Sequence, residues 1–302
     1  MALALQRINR TKMIYLKLVC MTLIWGGAFI SAHLVAQQAE PFSAAFVRFA
    51  IASGLLMVFA RNQSAPKPKL KRKHIVWLIL LGLTGIFGYN ALFFEGLKTV
   101  EASRAALIIA NTPITIALLS AIVLKEKLTI LRIVGILISV SGALLVISRG
   151  KLSNVIYQPL TWGELCILGC VLCWAVYSLI GKVVMKDLSP LPCVAYACVI
   201  GTVALFVPAV AEGLLSEVGG YSLSVWLNLI YLGVFATVVA FVIFNQGIRE
   251  IGPVKTGLFI NLVPIFAVIL SVIFLHESVT KSLIAGAVLV ISGVYLTNRQ
   301  TA

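Results

Sequence analysis

Amide side chains that stand beside aromatic residues are the feature of this sequence with the clearest chemistry. Tyr89, Asn90 and Phe93 form one such group, and Asn245 with Gln246 supplies a second pair of amides. A few placed polar groups among apolar walls are typical of small-molecule sites, so these residues could hold a zwitterionic or heterocyclic solute. The alternative is that the amides bond one helix to another, at about 0.6 kcal/mol per contact.

The other candidates for solute contact are aromatic or amide residues inside apolar stretches. Trp25 and Trp174 lie near the middle of such stretches, whereas tryptophans that mark a membrane interface lie at the ends. A cavity wall or a gate suits these positions, and core packing suits them equally. The full candidate set is Trp25, Phe29, Tyr89, Asn90, Phe93, Asn111, Trp174, Tyr177, Asn245 and Asn261.

Few titratable residues interrupt the apolar stretches, and these are candidates for charge or proton coupling. His33 and Lys182 each stand eight residues after a tryptophan. Either could contact a carboxylate and His33 could carry a proton, but a snorkelling or loop-facing position is the alternative. Glu95 could bind a proton too, although we expect it, like Glu164, to be exposed at a helix end. Arg48 lies about two turns inside a stretch, where a charge costs at least about 2.5 kcal/mol, so it should face a structural partner or a substrate.

Residue patterns typical of enzymes and metalloproteins do not occur in the sequence. It holds no phosphate-binding loop, no metal-ligand cluster and no nucleophile–base pair. Cys166, Cys170 and Cys173 share one helical face at a spacing that zinc sites do not use, so we interpret them as packing residues. We expect no catalytic residue, no metal, no cofactor and no ATP-driven pump.

The composition favours a lipid-facing protein. Only 11% of the 302 residues are charged, 61% are hydrophobic and the mean hydropathy is +1.06. A soluble domain carries about 25% charged residues, so this chain lacks the polar groups to cover a water-facing surface. About 20 apolar residues cross a bilayer, which predicts an all-α membrane protein. The ten predicted spans are 13–36, 41–60, 75–95, 103–124, 129–147, 161–182, 190–211, 223–246, 253–275 and 280–297.

The basic residues orient these spans. With the N-terminus inside, 18 of the 24 Lys and Arg residues fall at inner segments and five at outer ones. Such an excess marks the cytoplasmic side and predicts that both termini are cytoplasmic. The net charge of +14 is therefore a topology signal. The basic run at 67–73 lacks interleaved aromatic residues, which disfavours a nucleic-acid partner.

The two halves of the chain repeat each other. Residues 96–147 shifted by 151 positions give 16 identities in 52, including Pro113 with Pro264 and Glu126 with Glu277. Each repeat, 13–147 and 161–297, holds five predicted spans. An odd number makes the second copy enter the membrane from the opposite side, as in many secondary transporters. Two inverted copies can exchange conformations, so they can produce outward-open and inward-open states of similar energy.

Proline and threonine residues predict local features of the last two spans of each repeat. Pro113 and Pro264 fall inside spans 4 and 9, where each should kink the helix and free a carbonyl. Such a carbonyl is tolerated where protein or a wet cavity satisfies it, so the nearby Asn111 and Asn261 could line a cavity or bond helices together.

Thr129 and Thr280 are predicted N-caps of spans 5 and 10. Glu126 and Glu277, three residues before them, are interpreted as structural.

Several short motifs carry a family resemblance. The motifs at Trp25–Phe29, Arg48–Phe49, Asn261–Pro264 and Leu275–Glu277 resemble the drug/metabolite transporter superfamily, specifically its ten-helix EamA-type exporters. The resemblance implies a bacterial inner-membrane carrier of small molecules, such as amino acids, that is not an enzyme. It also implies a central cavity lined mainly by spans 1, 3, 4, 6, 8 and 9. Import or exchange of a vitamin, nucleotide derivative or quaternary amine is the alternative, and we expect a monomer or weak dimer.

Overall fold

Helices form most of the backbone in a computed structural model, which describes residues 2–61, 72–123, 129–150, 160–184, 187–251, 259–260 and 262–298. The α-helices of these residues are α1 (Ala2–Ala36), α2 (Pro41–Arg61), α3 (Arg72–Leu81), α4 (Tyr89–Leu97), α5 (Ala102–Ile109), α6 (Thr112–Val123), α7 (Ile130–Ile147), α8 (Trp162–Val184), α9 (Pro190–Ala211), α10 (Leu214–Glu217), α11 (Leu223–Ile230), α12 (Ala240–Ile251), α13 (Val263–Leu275) and α14 (Lys281–Asn298).

Six helical segments in the described part are long and apolar enough to cross a membrane. They are Met13–Ala36, Pro41–Phe59, His74–Leu97, Trp162–Gly181, Leu191–Ala211 and Leu223–Phe244. Three shorter apolar helices, Ile133–Ile147, Val263–Leu275 and Lys281–Leu296, lie in regions where the sequence predicts further spans. Large apolar side chains also cover the outside, as Val207 at 73% exposure shows, which suits lipid rather than water. The chain is thus a multi-pass membrane protein.

Helices from the two halves of the chain pack in antiparallel pairs. Along α2 and α9, Ser43 Oγ donates to the Ala209 carbonyl at 3.3 Å, and the Ser53 and Thr202 hydroxyls meet at 3.0 Å. The residue number therefore rises in one helix as it falls in the other. The α7 and α14 helices are antiparallel too. A Cβ added to Gly142 would lie 2.8 Å from the Gly286 carbonyl oxygen, and a Cβ added to Gly293 would lie 2.5 Å from the Gly135 carbonyl oxygen.

Two spans contain a π-helical segment. Residues Gly82–Gly88 join α3 to α4, and Tyr231–Val239 join α11 to α12. The segments begin 149 positions apart, which is also the offset at which Trp25 matches Trp174 and Trp77 matches Trp226 in the first spans of the two repeats. A π segment leaves carbonyls without their usual helical partner, and such segments are frequent at functional sites. Hydropathy did not predict them, because a π segment is as apolar as an α-helix.

Both prolines that were predicted to kink a helix lie at the start of one. The α5 helix ends at Ile109, two turn residues follow, and Pro113 lies in the first turn of α6. Pro264 likewise lies in the first turn of α13. The first turn has no internal hydrogen bond for proline to remove. Near Pro113 span 4 is therefore interrupted by a turn between two helices, and the proline removes no hydrogen bond from either helix.

Candidate functional site

Five of the predicted solute-contact residues form one aromatic wall. Ring centroids lie 5.4 Å apart for Phe29 and Phe93, 5.7 Å for Phe93 and Tyr89, 5.3 Å for Tyr89 and Trp174, and 5.1 Å for Trp174 and Tyr177. The wall joins α1, α4 and α8, and a Cβ on Gly85 would clash with the Tyr177 ring. Tyr89 and Trp174 at its centre are half-buried, so their surfaces stay accessible.

Trp25 lies apart from this wall. Its indole Nε1 donates to the Ala236 carbonyl at 2.9 Å, inside the second π segment. Its ring packs against Phe241 and Phe244 of α12, with centroids 5.8 and 5.7 Å away. Trp25 thus satisfies a carbonyl of a π segment and packs α1 against α12. The two tryptophans that match in the repeat therefore have different surroundings.

Asn90 uses its amide on protein partners. Its Nδ2 donates to the carbonyls of Ile86 at 2.9 Å and Gly85 at 3.3 Å, and its Oδ1 accepts from Arg48 Nη1 at 3.0 Å. The residue is only 2% exposed. Asn90 therefore closes the first π segment and holds a charge from α2, as the helix-bonding alternative predicts.

Arg48 also reaches the second π segment. Its Nε and Nη2 each lie 3.4 Å from Thr237 Oγ1, which itself donates to the Leu232 carbonyl at 2.8 Å. One guanidinium thus connects the polar groups that close both π segments. Thr237 is not among the residues predicted from the sequence, although the charge of Arg48 inside span 2 indicates that neighbouring spans must supply polar partners.

Asn111 stands in the break between α5 and α6. Its Nδ2 donates to the Leu107 carbonyl at 3.0 Å, and its Oδ1 accepts from Ser139 Oγ of α7 at 2.7 Å. The amide is half-buried and serves as a bond between helices. Asn261, its predicted companion, lies outside the described residues, as do the side chains of Asn245, Lys182 and Pro113.

His33 and Glu95 occupy different surroundings. His33 is half-buried in α1, and its Nδ1 is buried without a hydrogen-bond partner in the described part of the chain. Glu95 accepts from Trp162 Nε1 at 3.0 Å and lies 3.6 Å from Lys98 Nζ. Its side chain is one-third exposed, and it lies two residues before the end of α4.

A polar end, formed by residues 37–40, 95–104, 161–164 and 276–280, ties the helices together on one side. Glu277 accepts from the backbone N–H groups of Ala102 at 2.9 Å and Ser103 at 3.2 Å, and from the Ser103 hydroxyl. A carboxylate at a helix N-terminus satisfies free N–H groups and favours the helix dipole. Leu283 N–H donates to Thr280 Oγ1 at 3.2 Å, which confirms Thr280 as the N-cap of α14.

Glu164 corrects a prediction at this polar end. We expected it to be exposed, but it is 7% exposed and accepts from Arg104 Nη2 at 2.9 Å. It also accepts from Thr161 N–H at 3.0 Å, while Thr161 Oγ1 accepts from Glu164 N–H at 3.3 Å. This reciprocal capping box starts α8 and draws the carboxylate inward, where an arginine neutralises it.

Lys98 completes the polar end with two carboxylates. Its Nζ donates to Glu40 Oε2 at 2.8 Å. Although burial acts to lower it, the hydrogen bond and charge of Glu40 and the charge of Glu95 raise the pKa of Lys98. The ammonium therefore stays charged at neutral pH and bridges α4 to the start of α2.

Comparisons with known proteins place this geometry in context. The profile described as the EamA-like transporter family matches residues 12–148 and again residues 161–299. The chain is 34% identical to the uncharacterized transporter YyaM of Bacillus subtilis, over 93% of this chain and 92% of that one. It is 26% identical to a probable terminal-alkyne amino-acid exporter of Streptantibioticus cattleyicolor, over 94% and 93%. A solved structure at 20% identity covers 95% of this chain and 97% of its own, with a TM-score of 0.60, which shows a shared fold.

Proposed function

Since the chain belongs to the EamA-like transporter family, we propose that it is a secondary transporter that exports small metabolites, amino acids or related compounds, by alternating access. It crosses the bacterial inner membrane ten times as two inverted five-helix repeats, residues 13–147 and 161–297. Both termini face the cytoplasm, in accord with the 18 basic residues on that side. Its partners are the solute and the lipid bilayer, and it works as a monomer or weak dimer.

The observation that carries this proposal is the antiparallel packing of repeat-equivalent helices. Ser53 and Thr202 stand 149 positions apart and hydrogen-bond to each other. Gly135 and Gly142 of α7 stand 151 positions before Gly286 and Gly293 of α14, and each meets the other's counterpart. Reciprocal contacts of this kind arise when a two-fold axis relates two copies. Inverted repeats of this type build alternating-access carriers.

The aromatic wall is the proposed solute surface. Tyr89 and Trp174 keep accessible area in the middle of the helices, and an apolar wall with few polar groups suits a small solute. The exporter from Streptantibioticus supports an amino-acid substrate, because its printed name assigns that class to a relative matched over nearly its whole length.

Purified protein in liposomes tests the proposal. Each vesicle is loaded with one unlabelled solute from a panel of amino acids, vitamins, nucleosides and quaternary amines, and uptake of the labelled form is followed. We expect saturable counterflow for at least one amino acid and none in protein-free vesicles. Counterflow for a vitamin or quaternary amine alone would favour the importer or exchanger alternative. No flux for the whole panel would overturn the transporter function.

A further inference from the structure

We propose that Arg48 is an anion-binding position beside the aromatic wall and that it takes the carboxylate of the transported solute. The inference rests on the proposed transporter function and adds a chemical class to it. The solutes would be small carboxylates with an aromatic or apolar body. The supporting observations are an uncompensated charge, unused hydrogen-bond donors and the position of the guanidinium.

The charge of Arg48 has no carboxylate partner among the described residues. Nine of the ten acidic residues lie in the described part, and all nine stand within three residues of a helix end or in a connection, from Glu40 to Glu277. Arg48 is the eighth residue of α2, roughly 10 Å along the helix axis from its start. A charge buried in protein is normally paired, and Arg48 instead faces a neutral amide, a neutral hydroxyl and the Phe49 ring, whose centroid lies 5.1 Å from Cζ.

The guanidinium also keeps hydrogen-bonding capacity. Of its five N–H groups, at most three are used, one to Asn90 and two long ones to Thr237. One N–H on each Nη therefore has no bond to a described residue. Two such donors can hydrogen-bond to a carboxylate, and they bind both of its oxygens when they lie on the same edge of the guanidinium. Arg48 is half-buried, whereas its partners Asn90 and Thr237 are 2% and 1% exposed.

The position of Arg48 links this donor pair to the wall. Its Nη1 lies 3.0 Å from Asn90 Oδ1, and Asn90 directly follows Tyr89 of the wall in α4. An anion held by Arg48 would thus have aromatic surface next to it. Asn90 and Thr237 fix the guanidinium in place before a solute arrives, which lowers the entropic cost of binding.

Two matched solutes test the proposal on the unaltered protein. L-Phenylalanine and L-phenylalaninamide share the ring and the amine and differ in the carboxylate. We expect calorimetry on detergent-purified protein to give at least tenfold weaker binding for the amide. Equal binding of the two, or no binding of L-phenylalanine, would overturn the carboxylate site. The transporter function fails separately, when no solute of the whole panel crosses the vesicle membrane.

Substitutions at Arg48 locate the effect. Arg48→Gln should weaken L-phenylalanine binding at least tenfold and leave L-phenylalaninamide binding within about twofold. Arg48→Lys keeps the charge without the fork and should fall between Arg48→Gln and the wild type. If both solutes weaken equally in Arg48→Gln, the residue acts only by holding the π segments and the proposal is wrong. Should Arg48→Gln fail to fold, Arg48→Lys decides, because it should weaken L-phenylalanine binding and leave L-phenylalaninamide binding within about twofold.

Discussion

At the scale of single residues, the aromatic wall contains two kinds of ring. Phe29, Phe93 and Tyr177 are buried and fix the positions of three helices. Tyr89 and Trp174 connect them yet stay half-buried. The buried rings therefore serve packing, and the central pair has the surface that a solute can contact. Substitution of one of the two central rings therefore tests whether the wall contacts the solute.

Replacing Trp174 by leucine should weaken the binding of an aromatic solute about three- to tenfold. An aromatic pair contributes roughly 0.5–1.5 kcal/mol beyond the area that it buries, and leucine keeps an apolar surface in place. Trp226→Leu is the matched control, because that half-buried ring packs against Tyr221 outside the wall. Calorimetric titration with L-phenylalaninamide measures the ring contact without the carboxylate. Equal losses in both variants would contradict the assignment of the wall.

Glu277→Gln should lower the thermal stability of the protein. The substitution keeps the shape but removes the charge and places an amide NH2 against the donors of either Ala102 or Ser103. Hydrogen bonds to a charged group contribute about 1.5–3 kcal/mol, so we expect a fall of several degrees in the melting temperature in detergent. Glu217→Gln, at an exposed glutamate, should leave the melting temperature unchanged. An unaltered melting temperature in Glu277→Gln would show that the α5 cap contributes no stability.

At the scale of elements, the sequence predicts where the membrane spans lie but not how each helix is rotated or where a π segment interrupts it. Runs of apolar residues predict where a helix crosses lipid, because burial of backbone polar groups leaves few other structures. The same runs say little about rotation, since a helix that is apolar all round has no clear polar face. Hence the sequence predicts Asn90 as a solute contact, whereas in the structure its amide hydrogen-bonds to Arg48 and two backbone carbonyls. The π segments were missed for the same reason.

The contact between α7 and α14 depends on glycine. A Cβ at Gly142 would lie 2.7 Å from the Val290 nitrogen and 2.8 Å from the Gly286 carbonyl, and neither backbone atom can move away alone. Gly142→Ala should therefore push the helices apart and destabilise the protein by about 1–3 kcal/mol, as overpacking does. Gly54→Ala is the control, because nothing lies within 4 Å of its added Cβ.

Melting temperatures in detergent should fall for Gly142→Ala and stay level or rise for Gly54→Ala, since alanine favours helix more than glycine. A fall in both variants would point to a general intolerance of substitution. No fall in Gly142→Ala would contradict the close contact of α7 and α14.

At the scale of the whole molecule, the repeat seen in the sequence has a counterpart in the contacts. The 149-residue offset relates the hydrogen-bonded Ser53 and Thr202 and the starts of both π segments. Arg48 of the first half connects these two segments, so one charge couples the halves at their centre. The position equivalent to Arg48 in the second half holds Ala197, so the second half has no matching arginine. The two halves thus have similar helices, but only the first carries an arginine at the centre. This asymmetry suits a binding site with a positive charge at one end.

The proposed inversion of the two repeats predicts on which side of the membrane their connections lie. The connection at 37–40 follows the first span of one repeat, and the connection ending at Ser189 follows the equivalent span of the other. The proposed inversion would place these connections on opposite faces of the membrane, and the excess of basic residues predicts that the first lies outside. In a variant with all six native cysteines replaced, Gln38→Cys in intact cells should react with a membrane-impermeant maleimide. Ser189→Cys should react only after the cells are opened.

Ser216→Cys is the control for the outer face, because the connection at 212–222 meets Gln38 through a Ser222 hydrogen bond of 3.1 Å. It should label like Gln38→Cys. Labelling of both Gln38→Cys and Ser189→Cys from the same side would mean that the repeats are parallel. Alternating access by exchange of two inverted halves would then be excluded, because parallel copies cannot turn one face of the protein into the other.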